Sequence, residues 1–285
     1  MQKLYNMKKN NLPKRMVCLT EETTETLYTI GAEDLIVGIS QFVMRPKRAK
    51  KEKPIVSRYT DAKIDRILAQ KPDLVLAWSD LQADICAELI REGVNVMCFN
   101  HRTIDETLNF IERLGAMVGY YDEALDFAKS IREKLDRAKE IGKARKFKPK
   151  VYFEEWHDPI ITSISWVSEL IEICGGEDVY ADLSHKFHAK DRIIASPDEV
   201  IDKQANIMLA SWCGKKFDKT EVINRKGWDA IPFVMNDVIY ELPAEVILQP
   251  GPAALTDGVD MLMEIFDNWE KKQPAKELHK VTENS

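Results

Sequence analysis

"DRILAQKPDLVLAW", residues 65–78, has a counterpart in the second half of the chain, "DEVIDKQANIMLASW", residues 198–212. Each segment begins with an acidic residue, places two apolar residues on one face of a short helix, passes through a turn containing lysine or glutamine, and continues into an apolar strand that ends in alanine and tryptophan. This pattern indicates a weak internal duplication. It predicts two small α/β lobes, with Trp78 and Trp212 at the carboxyl ends of corresponding strands.

The two tryptophans suggest where a ligand binds. In open parallel sheets, ligands gather outside the carboxyl ends of the strands. If two such edges face each other across a cleft, Trp78 approaches the ligand from one side and Trp212 from the other. The prediction of a cleft between the lobes depends on this pairing.

The rest of the chain follows the same alternation of apolar runs and helix-like segments, which is typical of an α/β fold. Residues 104–147 are helix-like, interrupted near "GAMVGYYDE", and the second piece, 122–146, is long enough to cross a lobe at roughly 35–40 Å. Its apolar residues are Leu125, Ala128, Ile131, Leu135 and Ala138. We predict an N-terminal extension, a first lobe, a connecting helix, a second lobe and a tail at residues 1–14, 15–120, 121–148, 149–272 and 273–285.

Composition excludes several classes of protein. The chain has 285 residues, of which 45% are hydrophobic and 31% charged, and its net charge of −6 gives no reason to expect a nucleic-acid partner. No apolar run approaches the roughly 18 residues of a membrane span. Five cysteines without CxxC or CxxH spacing favour reduced thiols, and "HKFH", with His185 and His188, is a weak metal signal. We expect a monomer without a metal site.

The segment "YFEEWHDPIITSISWVSELIEICGG", residues 152–176, is predicted to form one wall of the cleft. A strand ending in "EEW" brings Glu155, Trp156 and Asp158 to its carboxyl edge, and Asp158-Pro159 turns the chain. A helix then starts between Ser163 and Trp166 and ends at Gly175-Gly176. Trp166 has helical spacing from Leu170 and Ile173, which favours the core, whereas we assign Trp156 to the cleft.

Several motifs resemble a known family. "RMVCLTEETTETLYTIGAEDLIVGIS", "YTDAKIDRILAQKPDLVLAW", "EEWHDPIIT" and "WVSELIEICGGEDVY" are similar to segments of the corrinoid and siderophore binding proteins of ABC importers, especially the cobalamin-binding members. The resemblance extends from about Arg15 to Phe266. It implies two α/β lobes joined by one long helix, a ligand held between the lobes, and no catalytic activity or catalytic cofactor.

The resemblance also implies which residues hold the ligand. Aromatic walls and a few hydrogen-bonding groups suit a corrinoid, which has broad apolar faces and amides on its rim. Gln249 and residues 211–214 are candidate rim partners, and Arg192 stands near where relatives carry another aromatic residue. The predicted ligand-binding residues are Phe42, Tyr59, Trp78, Trp156, Asp158, Ile161, Arg192, Trp212 and Gln249.

Other ligands and one other class of function stay open. A ferric siderophore is an anion that arginine and lysine would bind, and a haem would need an axial ligand such as Tyr59 or His157. We rank a corrinoid first, a siderophore second and haem third. A hydrolase built on Cys213, or acid–base chemistry by Glu154 and Glu155, lacks any supporting motif. The cationic candidates for a siderophore are Arg45, Arg58, Arg192, Lys215 and Lys216.

Asp65 and Asp198, the first residues of the duplicated segments, are the predicted docking residues. In the family that the motifs resemble, each lobe presents an acidic residue to arginines of the transmembrane subunits. Both positions also suit an acid at a helix N-terminus, worth about 0.3–1 kcal/mol. The beginning of the chain shows no apolar signal core. We therefore expect either a periplasmic protein whose leader was removed or a cytoplasmic relative without a permease.

Overall fold

The computed structural model describes residues 11–59 and 61–274, and its first half contains a parallel sheet. The strands lie in the order β3-β2-β1-β4-β5, and every neighbouring pair is parallel. The carboxyl ends of all five strands therefore lie at one edge of the sheet. The strands are β1 (Met16–Cys18), β2 (Ile36–Ser40), β3 (Ile55–Ser57), β4 (Leu74–Trp78) and β5 (Val96–Phe99).

A second sheet forms in the other half of the chain. Its main path is β10-β9-β6-β7, and β8 pairs with β6 as well. The pairings of β6 with β9 and of β9 with β10 are parallel, whereas β6 and β7 are antiparallel. The strands are β6 (Lys150–His157), β7 (Ile160–Thr162), β8 (Glu177–Asp178), β9 (Ile207–Ala210) and β10 (Ile239–Glu241).

Helices follow most of the strands, as the alternation predicts. In the first half they are α1 (Glu21–Thr29), α2 (Ala49–Glu52), α3 (Ile64–Leu68), α4 (Ala83–Arg91) and α5 (Ile104–Val118). The connecting helix is α6 (Tyr121–Ala144). In the second half they are α7 (Ser165–Ile173), α8 (Ala181–Ser184), α9 (Pro197–Lys203), α10 (Lys219–Ile223), α11 (Pro232–Met235), α12 (Ala244–Ile247) and α13 (Val259–Glu270).

Helix α6 is the long connecting segment expected from the sequence. Its 24 residues extend about 36 Å at 1.5 Å per residue. The buried stripe begins at Ala124, whereas Leu125 is 38% exposed, contrary to the expected pattern. At the other end, an added Cβ on Gly142 would lie 2.5 Å from the carbonyl oxygen of Ile173. The absence of a side chain at Gly142 thus lets α6 pack directly against the end of α7.

The two duplicated segments fold alike. Helix α3 leads to β4 through Lys71, and helix α9 leads to β9 through Gln204. Both turn residues have a φ of 49°, in the left-handed region that non-glycine residues seldom adopt. The shared turn geometry supports the duplication inferred from the sequence.

The predicted crossing from strand to helix contains an extra element. Strand β7 intervenes between the Asp158-Pro159 turn and α7, and it forms a hairpin with β6. The sequence interpretation, which took the chain from the turn straight into the helix, was wrong here. Strand β3 was also missed. Both strands have three residues, too few to show a clear periodicity.

The core extends beneath both halves. One cluster joins the inner face of the first sheet, helices α5 and α6, and residues of the second half. Trp166 belongs to this cluster, as predicted: it is 2% exposed and its Nε1 donates to the carbonyl of Ile247. Its ring meets that of Trp78 edge-on, with centroids 6.3 Å apart. The two halves therefore pack against each other through a shared base.

Candidate functional site

The structure buries Trp78 and Trp212, contrary to the prediction that they face each other across a cleft. Trp78 is 6% exposed and Trp212 is 4% exposed, and they belong to different hydrophobic clusters. The Nε1 of Trp78 donates to the carbonyl of His101, and the Nε1 of Trp212 donates to Glu154. Both indoles thus pack inside the protein at the strand ends. Other side chains must line the ligand cleft.

Tyr59 is held at the edge of the first sheet by a buried amide. Gln82 has no exposed surface, and its Nε2 donates to the carbonyls of Leu19 and Tyr59, while its Oε1 accepts from the backbone N–H of Trp78. Gln82 therefore ties together the segments that follow three strands. The Tyr59 ring is half-buried, and burial raises the pKa of its hydroxyl, whereas the Ser79 side chain acts to lower it.

Arg102 connects the two halves at this edge. Its guanidinium carbon lies 4.9 Å from the centroid of the Trp78 ring and 4.0 Å from that of Phe187, which comes from the second half. Asp80 accepts a hydrogen bond from Arg102 at 3.3 Å and lies 3.5 Å from His188. Phe187 keeps 40% of its surface exposed. Arg102 and Phe187 therefore bring a cation and an aromatic surface to the junction between the lobes.

Arg192 contributes a second cation from the opposite side. It is 2% exposed, and its Nη1 donates to Glu155 and to the carbonyl of Thr162, both at 2.6 Å. The charges of Tyr59, Arg192 and Glu155 all act on the pKa of Arg102, which burial lowers. The predicted site residues Tyr59 and Arg192 thus lie within electrostatic reach of one group, although they come from different halves of the chain.

Two buried N–H groups in this cluster lack a partner. Among the described residues, the Nε atoms of Arg102 and Arg192 are buried and make no hydrogen bond, and the same is true of the Ser211 hydroxyl. Unpaired buried donors are costly and therefore uncommon. A ligand that accepts hydrogen bonds between the lobes would satisfy them.

The hairpin of β6 and β7 places the remaining wall candidates. Trp156 is half-buried and packs against the hydrophobic cluster that contains Trp212. Its Nε1 donates to the carbonyl of Asp158. Asp158 is exposed at the turn, and Ile161 pairs with Ile193, which is 37% exposed. The hairpin thus presents part of one indole and one isoleucine, and Ile193 adds a second isoleucine next to Arg192.

A cavity of about 570 Å³ lies between the halves. One side comes from α1 and the loop 44–48, and the other comes from residues 243–246. Phe42, two residues before this loop, is 50% exposed, and Gln249 is half-buried close to Pro250, whose carbonyl accepts a hydrogen bond from His101. The volume falls within the range of about 300–1,000 Å³ that is usual for small-molecule sites. A hollow shared by the lobes therefore exists, although neither the tryptophans nor Tyr59, Arg102, Phe187 and Arg192 line it.

Several side chains that could bind haem or a siderophore already have partners within the protein. Both ring nitrogens of His157 have partners, Glu221 on Nδ1 and Lys215 on Nε2, each at 2.9 Å. Arg45 pairs with Glu25 and with Asp257. Arg58 and Lys216, by contrast, are exposed. An axial haem ligand at His157 would require its present hydrogen bonds to break.

Glu154 and Glu155 point to opposite sides of β6, as the alternation of side chains along a strand predicts. Glu154 is fully buried and accepts hydrogen bonds from Tyr152, Trp212 and Arg225. Glu155 instead holds Arg192. The two carboxylates therefore cannot act on one substrate. In residues 11–59 and 61–274 there is no group of three or more histidine, cysteine or acidic side chains that could hold a metal ion.

Sequence reasoning missed Arg102 and Phe187. Arg102 follows β5 by three residues, a position that a ligand-binding edge would favour, whereas Phe187 lies in "HKFH", which we weighed only as a metal signal. The predicted docking residues Asp65 and Asp198 are both exposed in the first turns of α3 and α9. Within the described residues, no helix combines the length and apolar character needed to cross a membrane.

Comparison with known proteins identifies a family and several relatives with this architecture. A family model described as periplasmic binding protein matches residues 16–246. A vitamin B12-binding protein of Vibrio parahaemolyticus is 26% identical over 268 residues, which cover 93% of this chain and 93% of the relative.

Two solved structures share the fold. The periplasmic vitamin B12-binding protein BtuF of Vibrio cholerae has a TM-score of 0.72 and 25% identity, covering 92% of this chain and 99% of that one. A periplasmic heme-binding protein of Pseudomonas aeruginosa has a TM-score of 0.76 and 18% identity, covering 90% and 93%. The two sheets, the long connecting helix and the matched segment 16–246 lead to one conclusion: the chain belongs to the periplasmic binding protein family.

Proposed function

We propose that this protein captures a corrinoid between its two lobes, residues 15–120 and 149–272, and delivers it to an ABC importer. The observation that carries the proposal is the meeting of Arg102 and Phe187 beside Tyr59, where the carboxyl ends of the first sheet approach the second half. An apolar surface next to buried hydrogen-bond donors suits a ligand with broad apolar faces and amides on its rim.

The exposed apolar side chains support the same ligand. Phe42, Met44, Phe187 and Ile193 are all more than a third exposed, and all lie in segments that follow strands or flank the hairpin. Apolar side chains of this kind are what usually lines a small-molecule site. The B12-binding relatives agree with this choice. We propose binding without chemistry, by a protein that works as a monomer.

A ferric siderophore is the second candidate. The specific observation in its favour is the pair of cations Arg102 and Arg192, each with an unpaired Nε among the described residues. Arginine binds anionic oxygen ligands strongly through such N–H groups. Haem ranks third, because Tyr59 has a raised pKa and His157 is already hydrogen-bonded at both nitrogens.

Titration of the purified protein with cobalamin, cobinamide, haem and a ferric hydroxamate tests the proposal. We expect cobalamin or cobinamide to quench the tryptophan fluorescence, to colour the protein and to saturate at one equivalent. Tyr59→Ala and Phe187→Ala are each expected to weaken this binding at least about tenfold, equivalent to about 1.4 kcal/mol, because each removes aromatic contact area.

The matched control is Tyr121→Ala, which removes a half-exposed aromatic ring at the start of α6. We expect its affinity to equal that of the unmodified protein. Tight binding of the ferric hydroxamate with weak binding of both corrinoids would reverse the ranking. Equal affinities for Tyr59→Ala, Phe187→Ala and Tyr121→Ala would place the ligand elsewhere.

Charge reversal at Asp65 and Asp198 tests the proposed delivery. Both carboxylates are exposed on separate lobes, so Asp65→Lys combined with Asp198→Lys is expected to abolish stimulation of permease ATP hydrolysis in reconstituted vesicles. Ligand affinity should stay within about twofold, because neither residue lies among the cleft contacts described above. Glu133→Lys, on the exposed face of α6, is the control. An equal loss of ligand binding would assign the two acids to the cleft instead.

A further inference from the structure

Two cysteines lie together at the outer edge of the first sheet. Cys98 is on β5, the edge strand, and pairs in register with Ala77 of β4. Ala77 packs in the same hydrophobic cluster as Cys86 of α4. Neighbouring side chains in a parallel ladder point to the same face, so Cys98 points toward α4. Cys86 lies in the first turn of α4 and belongs to the cluster on this face of the sheet, so the two cysteines are neighbours.

The two thiols differ in exposure and acidity. Cys86 is buried, whereas Cys98 is exposed. Interaction with the Cys86 thiol lowers the pKa of Cys98 to about 7, and the same interaction raises the pKa of Cys86. A thiolate is the reactive form of cysteine, so Cys98 has the properties of an attacking group and Cys86 those of a resolving group behind it.

The other thiols lack this combination. Burial raises the pKa of Cys18 and of Cys174 to about 12. Cys213 is exposed as a residue, but desolvation of its thiol raises its pKa, and the nearby charge of Glu155 raises it further. Among the five cysteines, therefore, Cys98 alone is both accessible and acidic, and it is the one with a second thiol nearby.

We propose that Cys98 and Cys86 form a reversible redox pair that exchanges with low-molecular-weight disulfides. The Cys98 thiolate attacks one sulfur of the small disulfide, forms a mixed disulfide and releases one small thiolate. Cys86, after losing its proton to solvent, attacks the Cys98 sulfur and expels the second small thiolate. The protein dithiol is oxidised by two electrons and the small disulfide is reduced to two thiols.

The pair adjoins the proposed ligand cleft but does not depend on its ligand. The Cys98 sulfur lies 3.6 Å from the carbonyl oxygen of Ser79, and the Ser79 side chain influences the pKa of Tyr59. The disulfide would thus form directly behind the turn that supports Tyr59.

Incubation of the full-length protein with mixtures of oxidised and reduced glutathione tests the proposal. Intact mass should fall by two hydrogens, and peptide mapping should show a Cys86–Cys98 link that reducing agent removes. In Cys86→Ala, which has no resolving thiol, a glutathione adduct should accumulate on Cys98. Cys98→Ala should show neither product, and Cys213→Ala, the control for an exposed thiol, should behave as the unmodified protein.

A second measurement does not require the disulfide to form. The rate of alkylation of Cys98 by iodoacetamide should rise with pH around a midpoint near 7, and Cys86→Ala should move this midpoint toward the ordinary value of 9.0. Accumulation of a glutathione adduct on Cys98 of the unmodified protein, without the internal link, would overturn the proposal. So would an unchanged alkylation midpoint in Cys86→Ala.

Discussion

Glu154→Ala is expected to lower the free energy of unfolding by roughly 3–5 kcal/mol, because it leaves a buried charge without its partner. Glu154 has no exposed surface, and Arg225 binds both of its carboxylate oxygens, at 2.6 and 2.9 Å. Tyr152 and Trp212 donate to the same carboxylate. Removal of this one side chain therefore strands three donors in the interior of the second half.

Urea denaturation at neutral pH measures the loss. Arg225→Ala should be destabilised to a similar extent, and the double variant should lose clearly less than the sum of the two single losses, because both single changes break the same interaction. Glu133→Ala, an exposed glutamate on α6, is the control and should change stability by less than about 0.5 kcal/mol. If Glu154→Ala resembles Glu133→Ala, then the buried network contributes little to stability.

The effect of Glu154 explains why Trp212 was assigned wrongly from the sequence. The motif places an indole just after a strand, but the hydrogen bond from Trp212 to Glu154 joins residues 58 positions apart and holds the indole inside. For Trp78 the sequence did contain a warning. Its side chain is in phase with Leu74 and Leu76, which face the core, so alternation along β4 already predicts burial.

The fold was predictable where the periodicity was long. The sequence predicts α5, α6 and the central strands, since each buries a face that repeats over several residues. The three-residue strands β3 and β7 carry no such repeat, and their positions depend on pairing with β2 and β6. The local sequence therefore does not predict where these two strands form.

The candidate site was only partly predictable for a related reason. Tyr59 was assigned to the ligand through the family resemblance, because β3, the strand that it follows, was not predicted from the sequence. The contact between Arg102 and Phe187 instead depends on how the two halves dock, and the residues are 85 positions apart in the chain. Arg192 stays a predicted ligand-binding residue, and its partner Glu155 became evident only from the geometry.

Stability should fall as the pH rises from about 4.5 to 8, because two buried glutamates at the start of α1 ionise near pH 4.5 in the unfolded chain but only near pH 7–8 in the folded protein. Burial raises the pKa of Glu21 to about 8 and that of Glu22 to about 7, from an ordinary 4.5. Between 4.5 and these values the folded state binds more protons than the unfolded state. Stability is therefore complete below about pH 4.5 for these two groups and is lost as the pH passes through their raised pKa values.

Several neighbours determine how large this effect is. Glu22 is 1% exposed, accepts a hydrogen bond from Thr20 and is packed against Gly251 of the second half. The charges of Glu25 and Cys98 raise its pKa further. His101 has the opposite influence: burial lowers its pKa to about 4, so its contribution to stability increases between about pH 4 and 6.5. The net decline should therefore be clearest above pH 6.5.

Glu22→Gln isolates the contribution of one group. The amide keeps the shape and the acceptor for Thr20 but cannot ionise, so the variant should be more stable than the unmodified protein at pH 8 and equal to it near pH 4.5. A shift from 4.5 to about 7 corresponds to about 3 kcal/mol, at 1.36 kcal/mol per pKa unit. Urea denaturation of both proteins between pH 4.5 and 8.5, with Glu133→Gln as the exposed control, gives the difference at each pH. A difference that does not change with pH would mean that Glu22 ionises as readily in the folded protein as in the unfolded chain.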